Sequence, residues 1–437
     1  MSSRSNNLSK SIYIFLFFGS LAGILYGYAV GSISLALPPM TKDFAMSSTL
    51  QGFAGSFVML GALPAIIGST ILEKKIERKK LLVIAGIIFI ISTIGGALAP
   101  SANVFLFFRF VLGLGVGVAN MYSLIYIVEL APANIRGIAG SMYQLCVNVG
   151  IFISYIAGAY FTKTGNWKAI ILIGAVPAAI FVIGMAMSPA SPRWLIRDKQ
   201  IDKAKSILRK IRSNEAEVKN EILEVQKSLS AKDAGVAVLL KYYKSKVSIV
   251  FVLAFFQVFT GINAVIFYVP IVFKNLNMHN VSIIADISVG IALVIGTFCS
   301  LFLVDRKGRR FLLMTSFLMQ TFPLVLIGMF PTNGVLDVIC VFVYIFAFSV
   351  GLGPVYGLYV PEAFPLHVRA AGCGIITFCQ YTMNFILTAI FPSIFNAISF
   401  NTFYVFGFLS LAALVFVYYK VPETKGKSLE KAEVEAV

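Results

Sequence analysis

Glu129-Leu-Ala-Pro-Ala-Asn-Ile-Arg136-Gly137 returns 233 residues later as Glu362-Ala-Phe-Pro-Leu-His-Val-Arg369-Ala-Ala-Gly372. Each copy is a short charged stretch between long apolar runs. Two more pairs keep that offset to within one residue. Glu73…Arg78 answers to Asp305…Arg310, and Pro189-Ala-Ser-Pro-Arg193 to Pro422-Glu-Thr-Lys-Gly426. Three charged patterns at one offset, each after the matching apolar run, make the chain a duplicated unit with its two copies in parallel orientation.

Composition says what the unit is. The 437 residues are 58% hydrophobic and only 13% charged, with a mean hydropathy of +0.87. Soluble domains carry about 25% charged residues, so too little polar surface is left for a water-soluble body. Disordered, collagenous and small disulfide-rich classes are excluded too. A helix needs about 20 apolar residues to cross the hydrocarbon, and twelve segments qualify: about 11–35, 50–72, 81–99, 103–127, 138–161, 168–187, 247–274, 281–304, 311–329, 336–360, 371–394 and 402–419. The expected fold is an all-α membrane protein of twelve transmembrane helices in two six-helix halves. Residues 1–187 form the first half, 188–246 an intracellular helical linker, 247–420 the second half and 421–437 a cytoplasmic tail. Arg4 and Lys10 precede an apolar run that passes 20 residues without a small-residue cleavage site, so a retained first helix is expected rather than a signal peptide.

The net charge of +17 would suggest nucleic acid in a soluble protein. Here its distribution points to membrane topology instead. Of the 36 Lys and Arg, Lys42, Lys163, Lys168 and Lys274 fall in one set of loops and Arg109 inside a span. The other 31 lie in the opposite loops and the termini, which places both termini in the cytoplasm of a plasma (inner) membrane. Within the linker, residues 199–229 alternate charge with Ile207, Leu208, Ile211, Ile222, Leu223 and Val225, the pattern of short amphipathic helices packed beneath both halves. Cys146, Cys299, Cys340, Cys373 and Cys379 sit in apolar stretches and have no metal or disulfide spacing.

Segments 1, 4, 5, 7, 10 and 11 carry Gly, Pro, Gln and Asn and are expected to line a pathway; segments 3, 6, 9 and 12 are more uniformly apolar. Polar groups in hydrocarbon are unfavourable unless they face a cavity or another helix. Gln144, Gln257, Asn263, Gln380 and Asn384 are candidates for a binding site, because amides both donate and accept, as hydroxyls do. Helix–helix bonding is the alternative use, most of all for Asn384. No carboxylate stands among them, which argues against an organic cation. The charged residues Glu129, Arg136, Asp305, Arg306, Arg310, Glu362 and Arg369 fall at helix ends where the halves must meet. Ion pairs there could latch one end, and topology alone is the other explanation; an exposed pair is worth only about 0–1 kcal/mol, so such a latch is reversible.

Six motifs together resemble the sugar porter family of the major facilitator superfamily. They are Asp305-Arg-Lys-Gly-Arg-Arg310, Pro189-Ala-Ser-Pro-Arg-Trp-Leu195, Pro422-Glu-Thr-Lys-Gly426, Gln257-Val-Phe-Thr-Gly-Ile-Asn263, Gly353-Pro354…Glu362-Ala-Phe-Pro365…Arg369, and Glu129…Arg136-Gly137…Gln144. The resemblance spans the whole chain and includes bacterial proton–sugar symporters and animal facilitative glucose transporters. It implies that Gln144, Gln257, Asn263 and Gln380 bind sugar hydroxyls, that Tyr268 belongs to the site, and that the charged residues form a cytoplasmic gate. The departures are also informative. Val258, Phe267, Leu293 and Gly357 replace a Gln, a Tyr, an Asn and a Trp of the family pattern, so the site is drier than a glucose site, and Tyr356 or Tyr359 could stand in for the Trp. Pro189-Ala190 lacks the family's Glu, and the loop at Glu73 lacks its Gly. Ala29 stands where proton-coupled members carry Asp near the residue matching Arg109. Asp286, near the outer end of segment 8, is expected to be a helix cap.

These features predict transport of a small neutral sugar or polyol by alternating access, as a facilitator. The alternatives are a proton symporter, a carrier of a non-sugar solute and a non-transporting sugar sensor. No nucleophile–base pair, His cluster or Gly-rich phosphate loop suggests an enzyme, and no cofactor or metal is expected. The expected partners are the solute and the lipid bilayer, without nucleic acid, for a monomeric protein.

Overall fold

A computed structural model describes residues 10–72, 75–132, 136–162, 164–212, 214–230, 236–274, 279–331 and 334–424. Twelve helices among them are long and apolar enough to cross a bilayer: Ile12–Asp43, Ser48–Gly68, Arg78–Ala97, Ala102–Leu130, Met142–Phe161 and Trp167–Met187 in the first half, and Lys244–Tyr268, Ile284–Val304, Arg309–Met329, Gly334–Ala363, His367–Ile398 and Asn401–Lys420 in the second. They are spans 1 to 12. Span 1 runs eight residues beyond the expected end, straight through Pro38 and Pro39.

Two breaks shape the second half. Span 7 is interrupted between Phe259 and Ile262, where Gly261 has φ +94. A side chain there would be strained, and its Cβ would lie 2.3 Å from the Phe406 ring, so only glycine fits. The carbonyl of Thr260, freed by the break, accepts the Tyr344 hydroxyl at 2.9 Å. Span 10 breaks at Gly351, where a Cβ would meet the Leu312 carbonyl oxygen at 2.5 Å.

Among the linker helices, Pro192–Arg197, Ile201–Ile211 and Glu215–Ser230 pack together through Leu195, Ile196, Ala204 and Val225. Leu208 and Ile211 are buried against the first half, where Arg212 donates to the Leu130 carbonyl oxygen at 2.8 Å. The helix Val236–Tyr242 instead buries Leu239 under the second half. One expected face residue is misplaced: Leu223 is exposed, because Ile222 and Val225 already fill the helix's buried stripe.

The halves meet mainly through spans 2 and 11, 5 and 8, and 1 and the later part of 7. These contacts tighten toward the end of the molecule away from the linker, the far end. There a Cβ on Gly52 would lie 1.9 Å from the Ala389 carbonyl oxygen, and one on Gly55 would lie 2.4 Å from the Tyr268 hydroxyl. Small residues let the two backbones touch, and Asn396 donates to Ser48 at 2.7 Å across the seam. The far end is closed.

Candidate functional site

The second half brings four of the predicted amides into one chain. The break in span 7 sets Gln257 on one side and Asn263 on the other, and both turn toward span 11. Gln380 donates to the Gln257 side-chain oxygen at 2.8 Å. Asn263 donates to Asn384 in a short bond, and Asn384 donates to the Gln380 carbonyl oxygen at 3.0 Å. Gln144 lies in the opposite half, on span 5. It is half-buried and makes no hydrogen bond among the described residues.

Four residues that sequence reasoning passed over gather where the two sides meet. Tyr143 donates to Asn120 at 2.6 Å, and Asn120 donates to the Tyr381 hydroxyl at 2.5 Å. Tyr26 of span 1 lies beside that hydroxyl as well. Gln144 and Gln380 are the chain neighbours of Tyr143 and Tyr381, which meet through Asn120 at a polar seam between the halves. Asn120 was detectable by the same criterion as the glutamines, an amide inside an apolar span; so was Asn148, which donates to the Leu293 carbonyl oxygen at 3.3 Å and to Thr297 at 2.5 Å.

Tyr268 is placed differently from the amides. It is fully buried, and its hydroxyl lies 3.0 Å from the carbonyl oxygen of Thr388, 3.2 Å from that of Gly52 and 3.3 Å from that of Gln51. It ties span 7 to spans 2 and 11 at the closed end. Arg109 holds the same stretch of span 2 from behind, donating to Ala54 at 3.0 Å and Gly55 at 3.5 Å, and reaches the Ala29 carbonyl oxygen at 2.9 Å. A small cavity beside it is lined by Ala29, Ser32, Ser92 and Thr93; it lies within the first half, apart from the amide cluster. Carbonyls, not a carboxylate, hold this cation.

The departures from the family pattern are dry. Val258, Phe267 and Leu293 are core residues. Open space surrounds the Gly357 position, and neither tyrosine fills it. Tyr356 turns to Cys373 and Cys379 of span 11, and Tyr359 to Glu362 and Glu423. Asp286 is not a helix cap. It lies about two turns inside the helix that begins at His279, fully buried, accepting the Ser34 hydroxyl of the other half at 2.9 Å.

The charged motifs form two matching clusters, each within its own half. Arg78 pairs with Glu129 at 3.2 Å, and Ser191 donates to the other carboxylate oxygen. In the second half Arg309 pairs with Glu362 at 3.1 Å, and Thr424 donates to Glu362 at 2.6 Å. Glu423 accepts the backbone N–H groups of Arg309 and Arg310 at 3.0 and 3.1 Å, capping span 9 at its positive end. The partner of Glu362 is thus Arg309, a residue outside the expected set, while Arg310 turns to the Tyr418 carbonyl oxygen and ring. Arg369 donates to the Phe364 carbonyl oxygen at 3.2 Å, and Arg306 is exposed. The side chains of Arg136 and Asp305 lie outside the described residues. The ion pairs described in these clusters each stay within one half.

Two six-helix halves closed at one end, with amides at mid-depth, define a membrane transporter of the major facilitator type. A family model for sugar (and other) transporters matches residues 15–436. The chain belongs to that family. It is 34% identical to the putative metabolite transport protein YwtG of Bacillus subtilis, covering 95% of this chain and 93% of that one. It is 32% identical to the galactose-proton symporter of Escherichia coli K12, covering 98% and 95%. Among solved structures, the inward-open xylose transporter XylE of E. coli superimposes with a TM-score of 0.84 at 28% identity, covering 97% of this chain and 99% of that one.

Proposed function

We propose that the protein carries a small neutral sugar or polyol across the plasma membrane by alternating access, as a facilitator. The observation that carries the reading is the set of amides divided between the halves. Gln257, Asn263, Gln380 and Asn384 form one hydrogen-bonded edge, and Gln144 stands across the seam with its amide unengaged. A ligand with several hydroxyls can satisfy both edges at once, and a solute bound this way favours closure of the halves around it. The charge distribution supports a cytoplasmic linker end, which makes the closed far end the outer one and the conformation inward-open.

Coupling is read from Ala29. Without a carboxylate there, Arg109 is satisfied by three carbonyls in one fixed arrangement, and no group at that position exchanges a proton as the halves move. The galactose-proton relative shows that symport occurs within the family; here the titratable partner is missing at that position. Counterflow into proteoliposomes, with a panel of hexoses, pentoses and polyols, tests the substrate class. At least one member of the panel should exchange across the bilayer; binding without exchange would mark a sensor, and no binding by any member would remove the sugar reading.

A further inference from the structure

We propose that Asp286 is a proton-binding site on the seam between the halves, occupied while the far end is closed and emptied when it opens, so that acidity on that side sets how often the transporter opens there. Nothing in the transport reading uses this residue.

The site is built from both halves. Asp286 of span 8 is fully buried. One carboxyl oxygen accepts the hydroxyl of Ser34, from span 1 of the opposite half, at 2.9 Å. The other has no hydrogen-bond partner. The facing groups are few. On span 5, Tyr155 is the titratable neighbour, and its hydroxyl is already donated to the Ile266 carbonyl oxygen of span 7 at 2.9 Å. On span 10, the acidic residue Asp337 lies beside Cys340 of its own helix. Among the described residues, no lysine, arginine or histidine is placed against Asp286 to balance a negative charge.

Away from water, an ionised carboxylate without a cation is far more costly than a neutral carboxyl with one unpaired O–H. The closed far end therefore holds Asp286 with its proton on. Ser34 and Asp286 belong to different halves, so opening the far end separates them and admits water to the seam. In water the acid passes its proton to solvent at ordinary pH and becomes a carboxylate. The closed state thus binds one proton more than the open state, and raising pH favours opening. The proton enters and leaves from the far side alone, so no proton crosses the membrane in a cycle, and the facilitator reading is unaffected.

The test reads conformation rather than flux, so its failure is separable from any failure of the transport reading. Spin labels on Thr49→Cys and Ala397→Cys, exposed at the far ends of spans 2 and 11, would report the open-to-closed ratio by pulsed dipolar spectroscopy. The five native cysteines would first be replaced. Between about pH 5 and about pH 8 the ratio should rise, by up to about tenfold per pH unit within the titration window. Asp286→Asn, which keeps the shape and the oxygen that Ser34 bonds, should flatten the curve. Ser34→Ala, which keeps the acid, should retain a slope. A flat curve for the parent protein, or an Asp286→Asn variant with the parent's slope, would overturn the proposal.

Discussion

Gln144 and Gln380 stand in opposite halves, next in the chain to tyrosines that meet through Asn120, yet they are in different situations. Gln380 is already bonded to Gln257, whereas Gln144 has no protein partner among the described residues. Gln144→Ala should therefore leave stability unchanged while lowering apparent substrate affinity by about tenfold, the equivalent of about 1.4 kcal/mol. Gln257→Ala and Asn263→Ala should match that loss in transport and also cost about 1 kcal/mol of stability, because each removes a side-chain hydrogen bond to span 11. Equilibrium binding together with thermal unfolding in detergent separates the two effects. The amides were legible in the sequence because a polar side chain inside an apolar span stands out. Tyr26, Tyr143 and Tyr381 were not, since a tyrosine in a membrane helix serves equally well as packing. The role of Asp286 was hidden for a related reason: its position near a helix start suggested a cap, and only the approach of span 1 shows that its oxygen bonds across the halves.

At the scale of elements, the charged helix ends admit two explanations, a latch and topology, that the sequence could not tell apart. Their recurrence at one offset is plain in the chain, but recurrence does not say which charge meets which. The structure pairs Arg78 with Glu129 and Arg309 with Glu362, holding helix ends together inside each half. The two clusters differ in burial. Arg78 and Glu129 have side chains only 10% and 6% exposed, against 13% and 25% for Arg309 and Glu362. Glu129→Gln removes the carboxylate from a buried charged cluster and should destabilise the protein by about 3–5 kcal/mol. Glu362→Gln should cost only about 1 kcal/mol, nearer the range of exposed pairs. Comparing thermal midpoints of the two variants checks this, with the larger fall expected at Glu129. The breaks in spans 7 and 10 were not legible as breaks, because Gly261 and Gly351 lie inside runs apolar enough to read as continuous helices. What requires them is the close approach of Phe406 and of the Leu312 carbonyl.

For the whole molecule, duplication and hydropathy were enough to specify two six-helix halves, since only a helix satisfies its own backbone in lipid. Which end is closed could not be read from the chain. It depends on contacts between residues far apart in sequence, such as Gly52 with Ala389 and Tyr268 with span 2. The central claim is that these halves move a neutral solute without driving it uphill. One coupled proton would supply about 2.3 kcal/mol per 100 mV, enough for accumulation on the order of 40-fold at about 1.4 kcal/mol per tenfold ratio. The direct measurement is uptake of a counterflow substrate into proteoliposomes under an imposed pH gradient and membrane potential. The internal concentration should rise only to the external one, and a protonophore should leave that plateau unchanged. Accumulation above the external concentration that collapses with the gradient would contradict the account.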